Sequence, residues 1–221
     1  MIAVKEILKK EIFIFDCDGV VLDSNQFKTD AYYEILKKFD EKKALEFAQF
    51  HRENGGISRF VKFELFFQKY LGMENYRELA AAASQQYATL TIQKLKEAQV
   101  NAGFFDLIKK IDDKKKYIVS GGAQDDLIQV FKSRDMDLLF DGIYGSPPDK
   151  YQIFEGLNID ARKAIYFGDS RFDYQVAKYF NIDFVFMKKL TEFSKWQEYF
   201  AQTDVLILDD FTLILKEEER A

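Results

Sequence analysis

The chain has 221 residues, 48% of them apolar and 16% aromatic, with a net charge of −5. That is enough apolar material for one large domain, or for a core domain with an insert, and it excludes a disordered chain. The mild acidity gives no basic face for a phosphate backbone, so no nucleic-acid partner is expected.

A lone cysteine, Cys17, excludes an intramolecular disulfide. The apolar stretch at the N-terminus is too short for a signal peptide, and no run approaches a membrane span. A cytoplasmic location without membrane association is the expectation.

Short apolar runs predict strands at 11–15, 117–119, 140–144, 164–167, 183–187 and 204–208. They are continuous rather than alternating, as in strands covered on both faces. Between them, 124–132 places Leu127, Val130 and Phe131 on one helical face, and 173–180 does the same with Tyr174, Ala177 and Phe180. Strand and helix in alternation predict an α/β fold with a parallel sheet. Residues 25–103 break this rhythm with helical periodicity alone: Phe27, Ala31, Ile35 and Phe39, then Tyr76, Leu79, Ala83, Tyr87 and Leu90. They read as an all-helical insert, with a turn at Asn54-Gly55-Gly56 and an end near Gly103. The aromatic run 60–71 reads as packing within that insert, and Lys114-Lys115-Lys116 as a solvated loop.

In an open α/β sheet, ligands bind beyond the carboxyl ends of the strands. Those ends carry Asp16, Asp18 and Gly19 after the first strand, and Ser120-Gly121-Gly122 after the second. Lys150 follows the third, and Gly168-Asp169-Ser170 with Asp173 follows the fourth. Clustered carboxylates that stay ionised call for a hard cation, and oxygen ligands suit Mg²⁺. A Ser-Gly-Gly turn leading into a helix offers backbone N–H groups to an anion. A lysine adds a point charge suited to phosphate. A free carboxylate can attack phosphorus to form an aspartyl-phosphate.

With these residues in this order, the chain resembles a haloacid-dehalogenase-superfamily phosphatase. The subgroup is the one with a helical cap after the first strand, like phosphoglycolate phosphatase and β-phosphoglucomutase. The DxDGxxxDS motif matches Asp16 to Ser24 completely, and GDSxxD matches Gly168 to Asp173. Ser120 stands for the Ser or Thr that ends an apolar strand. Lys150 stands for the lysine near a helix start, with Lys163 and Lys132 as alternatives. The resemblance implies a Rossmann-like three-layer parallel-sheet core, residues 1–24 and 104–221, with an inserted helical cap domain, residues 25–103. It implies an Mg²⁺-dependent phosphatase acting on a small-molecule phosphate ester such as a sugar or polyol phosphate. Asp16 would be nucleophile and metal ligand. Asp18 would be acid and base, its backbone carbonyl also binding the metal. Ser120, Gly121 and Lys150 would hold the phosphoryl group, Asp169 would ligate the metal, and Asp173 would act on a metal water or on Lys150. An acid at position 18 favours phosphate esters over dehalogenation or phosphonate cleavage.

Other readings compete at single residues. Cys17 lacks the arginine six positions on that a cysteine phosphatase needs, because Asp23 stands there. Asp23 and Ser24 read as turn and helix-cap residues, and Ser170 as the cap of the next helix. His51, the only histidine, and Arg59 lie in the insert and are the candidates for substrate specificity, with Arg52 and Lys62 beside them. The Gly56–Arg59 stretch resembles the GxSR motif of sugar phosphomutases, which keeps a mutase as the alternative activity. A phospho-aspartate signalling domain is a further alternative.

Overall fold

The structure, a computed structural model, describes residues 2–218. Among them is one sheet of six parallel strands. These are β1 (Ile12–Phe15), β2 (Lys115–Ala123), β3 (Gly142–Ser146), β4 (Ala164–Gly168), β5 (Asp183–Met187) and β6 (Leu206–Leu208). All six predicted strands form. Their spatial order is β3-β2-β1-β4-β5-β6. The direction of winding therefore reverses between β1 and β4, where an open sheet leaves a crevice at its carboxyl edge.

The continuous apolar strands are explained by two covering layers. In β1, Phe13 and Phe15 face one side and Ile14 the other, all three 0% exposed. The Phe13 and Phe15 side is covered by α1 (Val4–Ile7), α6 (Phe104–Lys110), α7 (Gln124–Ser133) and α11 (Thr212–Glu218). The Ile14 side is covered by α8 (Lys150–Leu157), α9 (Arg171–Tyr179) and α10 (Trp196–Phe200).

Between β1 and β2 the chain forms α2 (Asn25–Leu36), α3 (Glu41–Glu53), α4 (Arg59–Leu65), a π-helical turn Phe66–Tyr70, and α5 (Arg77–Glu97). These elements share an apolar core of their own. Tyr32, Phe47, Phe63, Phe66, Phe67 and Tyr87 are at its centre. The aromatic run 60–71 thus packs inside the insert, as its composition predicts. Phe39 departs from the predicted spacing, because α2 ends at Leu36.

The lysine run is not a loop. β2 begins at Lys115, and Lys116 is 7% exposed, its ammonium bonded to the carbonyls of Ile111, Asp112 and Lys114. A lysine can satisfy the free carbonyls where a helix has just ended, which offsets the cost of burying it. Of the segment 211–221, Phe211 is buried in the core and residues 212–218 form α11; residues 219–221 lie outside the described residues. No helix among the described residues is long and apolar enough to cross a membrane.

Candidate active site

The crevice at the β1–β4 reversal gathers the acids. Asp16 continues β1: its N–H donates to Phe167 O on the neighbouring strand, and its carboxylate accepts from the Cys17 N–H at 2.8 Å. Asp169 follows β4, and Asp173 lies in the first turn of α9. One oxygen from each of Asp16, Asp169 and Asp173 lies within 4.8 Å of the other two. Gly19 permits this crowding. Its φ is +73°, and a Cβ there would come within 2.1 Å of Asp169 Oδ2. Only glycine serves at such a point.

Lys150 holds the cluster from below. Asp149 caps α8 in a capping box with Gln152, which sets Lys150 at the first helical position. Its ammonium is 3.0 Å from Asp16 Oδ1 and 2.5 Å from Asp173 Oδ1, at 1% exposure. Tyr166 completes the arrangement. Its hydroxyl donates to Asp173 Oδ1 at 2.5 Å and accepts from Lys150 at 3.0 Å. Asp173 Oδ2 takes both the N–H and the hydroxyl of Ser170. Both oxygens of Asp173 are therefore engaged, by Lys150 and Tyr166 on one side and Ser170 on the other. Ser170 does cap α9, as predicted, so capping and site-building are one arrangement.

Asp16 and Asp169 are different. Asp16 Oδ2 accepts no hydrogen bond among the described residues, and neither does Asp169 Oδ1; Asp169 Oδ2 accepts from Asn25 at 2.7 Å. Burial pushes the Asp16 carboxyl up to about 7; Lys150 opposes the shift, and Asp173 and Asp18 add to it. Burial, then Asp16 and Asp173, push Asp169 well above the usual carboxylate range. Two crowded carboxylate oxygens without a protein donor among the described residues fit a hard divalent cation. That is the fit which the Mg²⁺ expectation requires.

Asp18 is held apart from this cluster. Ser24 Oγ donates to one of its oxygens at 2.5 Å and Lys28 Nζ to the other at 2.6 Å. Burial opposes its charge, but the Lys28 charge and the two hydrogen bonds outweigh burial and hold the carboxyl below its usual range. This corrects the reading of Ser24. It stands at the N-cap position of α2 but makes no side-chain cap bond; its hydroxyl serves Asp18 and the Leu22 carbonyl. Asp23 is exposed on the turn, as expected.

β2 runs on to Ala123 with a shifted register after Val119, so Ser120-Gly121-Gly122 forms an irregular strand end rather than a turn. Ser120 is 1% exposed, with its hydroxyl accepting from the Gly122 N–H at 3.0 Å. Gly121 lines the cavity and touches the insert: a Cβ there would lie 2.2 Å from Gly56 O. The predicted Asn54-Gly55-Gly56 turn is thus the point where the insert meets the core. Arg171 donates to Asn54 there at 2.6 Å.

The cavity between insert and core is lined by Asp16, Asp18, Gly121 and Asp169 from the predicted set, together with His51 and Arg59. Ser120, Lys150 and Asp173 stand behind that lining. Arg59 is engaged already, its guanidinium paired with Asp126 and donating to Ser84 Oγ at 3.0 Å. His51 Nδ1 is 2.6 Å from Lys62 Nζ.

Sequence reasoning overlooked Asn25, Lys28, Tyr166, Asp126 and Glu192. Asn25 and Lys28 had a signal. They are three apart at the start of a helix that leaves directly from the motif, so they share the face turned back toward it. Tyr166 had a weaker one, a phenol in an otherwise apolar strand. Asp126 and Glu192 had none, because their partners are far away in the chain. Tyr166→Phe is expected to destabilise the protein by about 1–2 kcal/mol and lower kcat about tenfold, since Lys150 and Asp173 lose a shared partner. Urea unfolding and steady-state kinetics read the two effects; an unchanged kcat would make Tyr166 a packing residue only.

Lys62 carries a second prediction. It is 1% exposed, and burial together with the Lys28 charge pushes its ammonium down to about 7. A lysine with a lower pKa folded than unfolded destabilises the fold below the folded value, and the effect fades as pH rises to the unfolded value. Lys62→Met is therefore expected to stabilise the protein on the order of 2–4 kcal/mol near pH 6, less near pH 10. Paired urea titrations of variant and parent check this; an equal gain at both pH values would rule out the buried charge as its cause.

Comparison with known proteins bears on the fold and the family. The family profile described as haloacid dehalogenase-like hydrolase matches residues 13–187. No curated protein matches the sequence. A hydrolase from Pseudomonas syringae is 19% identical with a TM-score of 0.76, over 96% of this chain and 99% of that one. A "predicted phosphatase" from Clostridium acetobutylicum is 22% identical with a TM-score of 0.73, over 95% and 99%. β-Phosphoglucomutase from Clostridium difficile is 20% identical with a TM-score of 0.72, over 96% of each. At such identities the structures attest the fold, while the profile covers β1 through β5 and every motif residue. The chain belongs to the haloacid dehalogenase-like hydrolase family.

Proposed function

We propose that the protein is a Mg²⁺-dependent phosphatase that hydrolyses a small phosphorylated metabolite through an aspartyl-phosphate on Asp16. The observation that carries this reading is the Asp16 carboxylate. It sits at the reversal point with one oxygen held by the Lys150 ammonium and the Cys17 N–H and the other free. A carboxylate so fixed is a nucleophile with one reactive atom. Residues 25–103 would be the cap domain, and 1–24 with 104–221 the catalytic core.

Mg²⁺ would be held by Asp16, Asp169 and the Asp18 carbonyl, and would supply charge to offset repulsion between anionic nucleophile and phosphate. Asp16 attacks phosphorus, and the bond to the leaving oxygen breaks. Lys150 lies beside Asp16 to balance charge on the transferring group, and the Ser120 and Gly121 strand end would bind its oxygens. Asp18 gives the leaving oxygen a proton, then removes one from the water that cleaves the acyl phosphate. Lys28 favours the ionised Asp18, the form the second step needs. The proton for the first step can arrive with a substrate bound as its phosphate monoanion.

The mutase alternative would use Arg59 for a second phosphate. That guanidinium is committed to Asp126 and Ser84, which favours hydrolysis. Metal removal tests the reading. With an aryl phosphate, a chelator is expected to abolish phosphate release and excess Mg²⁺ to restore it. Full turnover in chelator would refute the metal-dependent route.

A further inference from the structure

Asp169 is held at two points, and one of them belongs to the insert. Asn25 is the first residue of α2. Its Nδ2 donates to Asp169 Oδ2 at 2.7 Å and to the Leu190 carbonyl at 2.9 Å. An ionised carboxylate and a carbonyl both accept only, so the amide must present its NH₂ group here, with both protons used. Gly19 makes room for the pair: a Cβ there would lie 2.3 Å from Asn25 Nδ2 as well as 2.1 Å from Asp169 Oδ2. The second point is the Asp169 backbone, whose carbonyl accepts from Thr191 Oγ1 at 2.5 Å.

The loop after β5 that supplies Leu190 and Thr191 also fastens the insert. Thr29, one helical turn beyond Asn25, donates to Glu192 Oε2 at 2.5 Å. Arg52 Nε lies 3.4 Å from Glu192 Oε1, a buried atom with no hydrogen-bond partner among the described residues. Ser194 donates to Glu53 Oε1 at 2.6 Å. Thr29, Arg52 and Glu53 thus seat the insert on this loop. Among the described residues, Asn25 is the side chain of the insert that hydrogen-bonds to the cluster of Asp16, Asp169 and Asp173. A donor that fixes one oxygen of a carboxylate in advance leaves the other oriented for a cation, and less freedom is lost when the cation binds.

We propose that Asn25 is a positioning residue for the metal. By holding Asp169 Oδ2 it aims the open Oδ1 at the cation, so a residue of the insert sets the affinity of the core for Mg²⁺. The inference rests on the metal-dependent reading above.

The test is Mg²⁺ binding measured by calorimetry with no ester present. Asn25→Leu is expected to weaken it at least about tenfold. Thr29→Val is the control for seating: it removes the bond to Glu192, leaves the Asn25 contact in place, and is expected to bind Mg²⁺ within about twofold of the parent. With an aryl phosphate, Asn25→Leu is expected to need about tenfold more Mg²⁺ for half-maximal rate, with a smaller loss in kcat at saturating Mg²⁺. An unchanged Mg²⁺ dissociation constant in Asn25→Leu would overturn the proposal, and so would an equal loss in Thr29→Val. Urea unfolding without metal shows whether each variant is folded. Should Asn25→Leu not fold, Asn25→Ala removes the same donor without added bulk and is read against the same two outcomes. Calorimetry needs no turnover, so the positioning role is decided even if no ester is hydrolysed and the phosphatase reading falls. A parent protein that binds no Mg²⁺ would remove the metal and this role together.

Discussion

Asp16→Asn is expected to reduce phosphate release from an aryl phosphate at least about ten-thousand-fold, because the amide cannot form the acyl phosphate. The fold should survive. Asp16 is one of three crowded buried carboxylates, and burial already pushes it up to about 7. Replacing a charge with a neutral isostere removes repulsion with Asp169 and Asp173, while Lys150 keeps Asp173 as a partner. The expected unfolding midpoint without metal is therefore equal to or above that of the parent. Phosphate-release kinetics and urea titration on one preparation check both halves. Residual turnover within a hundredfold of the parent would remove Asp16 as nucleophile. A large loss of stability would show that the amide disrupts the Lys150 network.

Lys150→Met is the second large effect, and it acts on both stability and rate. The ammonium neutralises Asp16 and Asp173 from a position with no access to water. Breaking a buried pair by removing one partner costs about 3–5 kcal/mol, since the remaining charge is uncompensated. The pH dependence has a definite sign. Without Lys150 the folded pKa of Asp16 rises further above its unfolded value. A carboxyl raised in the folded state binds more protons folded than unfolded, so stability falls as pH rises between the two values. The destabilisation should be smaller near pH 5 than near pH 8, and Mg²⁺ should recover part of it. Turnover should fall at least about a thousandfold, as charge balance on the transferring group is lost. A variant equally stable at both pH values, with near-parental kcat, would place the balancing charge elsewhere. Lys163 cannot fill that role, because its ammonium pairs with Glu11 at an exposed site.

The two substitutions bear on residues that were legible to different degrees. Asp16 and Asp18 could be read from a short stretch, because two acids at the end of an apolar strand have no place in a core without a chemical reason. Lys150 was a choice among lysines, made on its place after the third strand. Only the fold put its ammonium between Asp16 and Asp173. Arg59 shows the limit. Its place in the insert, near a glycine turn, was legible, and it does line the cavity. Its ion pair with Asp126, 67 residues away, was not.

What the sequence alone determined is whatever depends on local order. Strands came from continuous apolar runs, the all-helical stretch from the change of period at residue 25, and the motif acids from their place at strand ends. These follow from the period of side-chain direction and the cost of burying charge, both properties of neighbouring residues. What only the tertiary structure decided is which charges neutralise which. Asp126 on Arg59 and Glu192 beside Arg52 join segments remote in the chain, Lys28 on Asp18 joins the insert's first helix to the motif, and Lys62 has no acidic partner within ion-pair distance among the described residues. Ion pairing depends on distance and burial, and both are set only when the helical insert closes over the sheet.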